Sequence, residues 1–404
     1  MNDVLYPFSR SARNLKGSAV RELLRDALKP GVISLAGGLP QARLFDVSGL
    51  RAAVDAVFDG NARTALQYGA TEGQEALQLA ISALIQKRGL NVHPSTVLVT
   101  TGSQQGLDLI ARAFVDEGDT VALQVPTYLA AVQAFDLRGA RYSRLQGDSG
   151  ARLAYVVTNF ANPTGECMSV EDRQALLRWA VAERVFVLED DPYGELRFSG
   201  AARPSLWELA RSIPGAEPWC GYASSLSKIV APGLRIGWLI LPEAVRDTVA
   251  RIKQATDLHT SSFTQEIAAR YLESSELEMR LIVARHTYAA QCEALMSAIR
   301  ETFGNELQFE VPEGGMFLWC RFTEPVDTGA LLPLARDHGM IFVPGSVFSP
   351  GGGDTATLRL SFSAGSPEEL SEGVRRLRRA HLQYLKKPAA ETPRFAAASL
   401  STPR

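Results

Sequence analysis

The chain has few of the features that mark specialised protein classes. Its four cysteines, Cys167, Cys220, Cys292 and Cys320, lie far apart and never form a Cys-x-x-Cys pair. That spacing excludes a cysteine zinc site and a disulfide framework, and it fits a reducing, cytoplasmic setting. The five histidines are scattered without metal-ligand spacing, so no metal is expected. Positive charge is not in excess: 42 Lys and Arg stand against 44 Asp and Glu, a net charge of −2. A nucleic-acid footprint needs a basic excess, so nucleic acid is not an expected partner. No apolar run approaches the ~20 residues of a membrane span, so no membrane partner is expected. The N-terminal MNDVLYPFSRSARNLKG lacks the apolar core of a secretory signal.

What is present is an ordinary globular composition, 46% apolar and 21% charged over 404 residues. That is enough for one large domain and a smaller one. Between residues 96 and 238, short apolar runs alternate with helical periodicity. Strands are expected at 97–100, 120–125, 140–144, 154–157 and 185–188, with helices after 102 and over 170–183. The alternation predicts an α/β fold with a mostly parallel sheet flanked by helices. In such sheets ligands bind outside the carboxyl ends of the strands. The loops with unusual chemistry all fall there: 102–105, 126–128, 162–165, 189–193 and 224–228. After 241 the pattern is mainly helical, followed by strands at 307–310, 316–321, 341–343 and 357–362, a separate α+β unit. A helix is expected over 18–28 and a strand over 32–35. Residues 386–404 lack periodicity and are expected to be a disordered tail.

The densest chemistry lies in GYASSLSKIVAPGLRIGW, residues 221–238. One lysine, Lys228, sits between Ser225, Ser227 and Arg235. A lysine beside another cation in a partly apolar site has its free amine made available, and that amine forms a Schiff base with a carbonyl. Read alone, the window is equally an ordinary surface loop. A phosphorylated pyridine aldehyde held there would need four things: an anion site, a carboxylate for the ring nitrogen, donors for the phenolic oxygen and an aromatic ring on its face. Ser103 and Gln104 at a helix start, with Ser225 and Arg235, suit a dianion. Asp190 or Asp191 ends a buried strand, where a carboxylate needs a cation. Asn162 and Tyr193 are suitable donors, and Tyr128 is a suitable ring. Arg359, in an apolar strand, reads either as a clamp for a substrate carboxylate or as half of a structural ion pair.

The ordered set Tyr68, GSQQ (102–105), PTY (126–128), NPTG (162–165), EDDPY (189–193), SLSK (225–228), PGLR (232–235), GGMFLW (314–319) and LRLSF (358–362) resembles the fold-type I pyridoxal-phosphate aminotransferases. With AGGLP (36–40) and DLHT (257–260) it is most similar to the 2-aminoadipate, kynurenine and broad-specificity aromatic or branched-chain subgroup. The resemblance runs from about 18 to 385. It implies a large cofactor-binding domain over 46–300 and a small domain made from 1–45 and 301–385. It implies pyridoxal 5'-phosphate as cofactor and transfer of an amino group from an L-amino acid to a 2-oxo acid by a ping-pong route. Lys228 would be the Schiff-base lysine that moves the proton, and Asp190 would pair with the pyridinium nitrogen. Asn162 and Tyr193 would bind the phenolic oxygen, and Tyr128 would stack on the ring. Ser103, Gln104, Ser225 and Arg235 would hold the phosphate. Tyr68 would reach the phosphate of the other subunit in a homodimer. Arg359, with Asn162, would bind the substrate carboxylate, and Gly38 and Arg21 would lie near the substrate side chain. Leu39, Leu258 and Phe263 make the presumed pocket apolar. The rival readings are a lyase or decarboxylase on the same fold, and a non-catalytic effector-binding domain of the kind found in transcription regulators. The second would need a winged-helix domain ahead of motifs that begin here by about residue 36.

Overall fold

Seven strands form the central sheet. Their order in space is Val97–Thr100, Gly237–Ile240, Cys220–Ser225, Phe186–Asp190, Ala151–Val156, Thr120–Leu123 and Arg141–Arg144. All run in one direction except Gly237–Ile240, which is antiparallel to both its neighbours. The computed structural model describes residues 6–14, 17, 23, 25–26, 29–60, 62–147, 150–274 and 276–386. The expected helix over 18–28, with Arg21, falls largely outside the described residues, as does the tail after 386.

Burial explains the strand sequences. Val97–Thr100, Phe186–Asp190 and Cys220–Ser225 are buried at every position, because helices cover both faces of the sheet. The edge strand Arg141–Arg144 is the exception, with an arginine exposed at each end, which discourages pairing with another chain. Helix Gly102–Phe114 turns Leu107, Ile110 and Ala111 inward. Its N-terminus follows directly from strand Val97–Thr100, so its first free N–H groups open at the carboxyl edge of the sheet.

A second sheet is wholly antiparallel, in the order Val343–Pro344, Thr357–Ser361, Phe317–Phe322, Leu307–Phe309. Helix Pro367–Leu385 starts at a capping box formed by Ser366 and Glu369, and it packs along helix Glu276–Phe303. The N-terminal part of the chain is tied to this region. Strand Ile33–Ser34 pairs in parallel with Met340–Ile341, and the Ser361 N–H donates to Leu35 O at 2.7 Å.

Two expectations change. The strand expected at 185–188 runs Phe186–Asp190, because Val156 and Ala223 on its two neighbours continue the ladder through Glu189 and Asp190. The single strand expected at 341–343 is two: Met340–Ile341 joins Ile33–Ser34, and Val343–Pro344 joins Thr357–Ser361.

Candidate active site

The carboxyl edge of the central sheet opens into a cavity of about 1250 Å³. Lys228, Asp190, Tyr193, Asn162 and Tyr128 line it. So do Ser103, Gln104, Ser225, Arg235, Arg359 and Gly38. Arg235 reaches this edge because it precedes the antiparallel strand, whose beginning lies where its neighbours end. Lys228 is half-buried, and its Nζ donates to Gly38 O at 2.8 Å. Burial, with the nearby charges of Arg359 and Arg235, pushes its pKa down to about 8.

Three consecutive carboxylates, Glu189, Asp190 and Asp191, meet three different fates. Pleating turns Glu189 to the opposite face from Asp190. There Glu189 faces Arg173 at 3.8 Å, accepts from the Thr158 hydroxyl and takes the Leu206 N–H at 2.7 Å. Asp191 lies 3.3 Å from Arg88 and accepts from Tyr222 at 3.2 Å. Asp190 has no cationic partner among the described residues. Its Oδ2 accepts from the Tyr155 hydroxyl at 2.8 Å, and its Oδ1 is buried without a partner. Burial pushes its pKa up to about 7, against the pull of the Tyr155 bond. Asp191 also leaves one oxygen bare, but Arg88 matches its charge.

Arg359 is the reciprocal case, a buried cation that makes no ion pair with a carboxylate among the described residues. Its Nη1 donates to Asn162 Oδ1 at 2.5 Å, its Nη2 donates to Ala36 O, and its Nε has no partner. The guanidinium lies 4.3 Å from the ring centre of Phe317 and 4.9 Å from that of Phe348. Burial pushes its pKa down to about 10. A dry cation with stacking support and a bare donor is built to receive an anion. The ion-pair alternative therefore does not hold.

At the far wall, Arg235 lies against the start of helix Gly102–Phe114. A Cβ on Gly102 would come within 2.5 Å of Arg235 Nη2, and a Cβ on Gly237 would come within 2.7 Å of Ser103 N. Both glycines keep guanidinium and helix N-terminus together. The pair offers a fixed cation and free N–H groups to one anion.

Comparison with known proteins bears directly on this arrangement. The family model for aminotransferase class I and II matches residues 41–377. The chain belongs to the class I and II aminotransferases. It is 36% identical to the 2-aminoadipate transaminase of Thermus thermophilus, over 92% of this chain and 96% of that one. The solved α-aminoadipate aminotransferase of Thermus thermophilus, complexed with N-(5'-phosphopyridoxyl)-L-leucine, superposes with a TM-score of 0.85 at 35% identity, covering 94% of this chain and 98% of that one. The kynurenine aminotransferase of Pyrococcus horikoshii gives 0.88 at 34% identity, covering 96% and 99%. The protein is a fold-type I, pyridoxal-phosphate-dependent transaminase.

This aminotransferase has the donor set its cofactor asks for. The bare Asp190 Oδ1 suits a protonated ring nitrogen, the Gly102–Arg235 cup suits a phosphate, and the half-buried Lys228 amine lies on the same cavity. Tyr68 does not line this cavity. It is 78% exposed, with its ring edge-on to His259 at 5.8 Å. Leu39 lines the cavity, but Leu258 and Phe263 do not. Phe263 packs on Phe58 instead, at 5.6 Å between ring centres. Sequence reasoning did not single out Tyr155, Phe317 or Phe348. Tyr155 stands on the strand beside Asp190, and Phe317 lies inside GGMFLW, so strand pairing and that motif were the available signals. Nothing local marks Phe348.

Proposed function

We propose that this transaminase moves the amino group of an L-amino acid with an aromatic, branched-chain or 2-aminoadipate-like side chain to a 2-oxo acid such as 2-oxoglutarate. The observation that carries the site assignment is that two buried ionisable groups without a counter-charge among the described residues, Asp190 and Arg359, line one cavity with the Lys228 amine. When bound, pyridoxal phosphate supplies an aldehyde that condenses with amines and a pyridinium that draws electrons from the carbon losing its proton. Asp190 Oδ1 would hold the proton on the ring nitrogen. Asn162 and Tyr193 would donate to the phenolic oxygen, and Tyr128 would supply an aromatic face. Ser103, Gln104, Ser225 and Arg235 would hold the phosphate. Arg359 takes the substrate α-carboxylate, with Asn162 fixing the guanidinium. Lys228 Nζ would take the proton from the substrate α-carbon and deliver it to the carbon that carried the aldehyde, acting as base and then acid. Its lowered pKa, about 8, raises the fraction of free amine near neutral pH above that of an ordinary lysine. Amino donor and acceptor use one site in turn, so ping-pong kinetics follow.

Apolar side chains support the donor class: Leu39, Leu129 and Leu137 line the cavity, and Phe317 and Phe348 lie against Arg359. The named substrates of the relatives, 2-aminoadipate and kynurenine, point the same way. Gly38 lets the Phe317 ring pack against the backbone that accepts from Lys228, since a Cβ there would meet Phe317 at 2.3 Å. The working unit we propose is a homodimer. Phe58, Leu66 and Tyr68 are large and exposed within one stretch of chain, which suits a covered face from which Tyr68 reaches the partner's phosphate. The two sheets support a large domain over 46–300 and a small one over 1–45 and 301–385, joined by helix Glu276–Phe303. Four free thiols fit a cytoplasmic setting. Among the described residues no helix is long and apolar enough to cross a membrane.

The test is a panel of L-amino acids with 2-oxoglutarate, followed by product identification. Glutamate and the matching 2-oxo acid are expected from leucine, 2-aminoadipate and aromatic donors. A preference for aspartate would contradict the donor class. Release of an alkene, thiol or carbon dioxide without a 2-oxo acid would assign a lyase instead.

A further inference from the structure

Beside the Gly102–Arg235 cup stands an ion pair with a buried lysine and a half-buried aspartate that the reaction itself does not use. Lys253 lies on helix Glu243–Asp257, and its side chain is fully buried. Its Nζ donates to Asp257 Oδ1 at 2.8 Å and Oδ2 at 3.1 Å, and to Gln105 Oε1 and Thr260 Oγ1 at 3.1 Å each. Asp257 in turn accepts from Gln105 Nε2 at 2.6 Å and from Thr101 Oγ1 at 3.1 Å. Gln105 Oε1 takes the Thr101 N–H at 2.8 Å. The bonds to Thr101 and Gln105 tie Lys253 and Asp257 to the turn that opens helix Gly102–Phe114.

The backbone is strained to make this cluster. Leu258 has φ 66° and ψ −62°, a conformation that side chains other than glycine rarely take. The His259 N–H bonds back to Asp257 O at 2.7 Å, and this tight turn brings Thr260 back over Lys253. Charge gives the cluster its meaning. Asp257 lines the cavity at a helix N-terminus, so an uncompensated carboxylate there would repel an anion in the cup. Burial alone would raise the Asp257 pKa, but its bonds from Lys253 and Gln105 outweigh that and hold it below the usual carboxylate range. Asp257 therefore stays charged, and Lys253 is the cation that cancels it.

We propose that Lys253 is a positioning residue for the cofactor phosphate, fastening Thr101 and Gln105 at the helix start and cancelling the charge of Asp257. The inference rests on the cofactor reading above and deepens it. The test compares apparent Kd values of pyridoxal phosphate and of phosphate-free pyridoxal, titrated into apoenzyme and followed by absorbance. The ratio of the two isolates the phosphate contribution. Lys253→Met should weaken pyridoxal phosphate about tenfold more than pyridoxal, on the scale of one charge-assisted contact. Lys253→Met with Asp257→Asn should regain most of the ratio, because the stranded carboxylate is gone. Should Lys253→Met not fold, Lys253→Gln, which keeps a donor without the charge, is titrated the same way. An unchanged ratio, with both ligands weakened equally, overturns the inference, as does a lost ratio that the double variant does not regain. Failure of wild-type apoenzyme to bind pyridoxal phosphate would instead overturn the cofactor reading.

Discussion

At the scale of single residues, the site is defined by charges left without partners. Asp190 is the clearest case, because its neighbours Glu189 and Asp191 show what a buried carboxylate here acquires when its role is structural. Its folded pKa of about 7 lies above the ordinary 3.8. Such a group contributes stability that is fully present below the unfolded pKa and is lost as pH rises through the folded one. Asp190 therefore contributes a fall in apoenzyme Tm between about pH 4 and 7. Glu189, also pushed up to about 7 by burial, acts in the same direction, so the diagnostic is the part of the slope that Asp190→Asn removes. A Tm profile of Asp190→Asn that overlays wild type would refute the assignment of this pKa to Asp190. Arg359→Leu should cost about 1.5–3 kcal/mol of substrate carboxylate binding. That is roughly a tenfold to hundredfold drop in kcat/KM, with bound cofactor retained. An unaltered kcat/KM would place the substrate carboxylate elsewhere.

At the scale of elements, the phosphate cup depends on two backbones meeting. Gly102 has φ 74°, so Gly102→Ala costs about 1–2 kcal/mol in backbone conformation and also pushes Arg235 off the helix start. We expect lowered stability and weaker cofactor binding together, read by Tm and by cofactor titration; normal affinity would mean that Arg235 does not need this contact. Element positions were readable where the local pattern decides them, as at Val97–Thr100 and Val170–Glu183, which the structure places where periodicity put them. They were not readable where pairing decides them. Glu189 and Asp190 have low strand propensity and are strand because Val156 pairs with Glu189 and Ala223 with Asp190. Cys220–Ser225 enters the lysine loop with Gly, Ala and two Ser, and the short apolar run Gly237–Ile240 carries no sign of its reversed direction, which brings Arg235 to the right edge.

At the scale of the whole molecule, the chemistry of Lys228 was legible because its partners are named by short ordered motifs. Their sorting was not, since Arg88 meets Asp191 across 103 residues and Arg359 meets Asn162 across 197. The pocket's apolar wall was misread at Leu258 and Phe263, whose exposure and packing depend on neighbouring helices. Tyr68 belongs to this scale too, because it is exposed and does not line its own chain's cavity. Lys228→Ala and Tyr68→Ala homodimers should both be impaired. Mixing them under subunit exchange should restore activity to about a quarter of the wild-type site count, since each mixed dimer carries one intact site. No gain on mixing would exclude a shared site. The most direct measurement of the central claim is borohydride reduction of holoenzyme followed by peptide mass mapping. The account predicts one phosphopyridoxyl group per chain, on Lys228, and no label or transamination in Lys228→Ala. Label on another lysine, or transamination by Lys228→Ala near the wild-type rate, would contradict it.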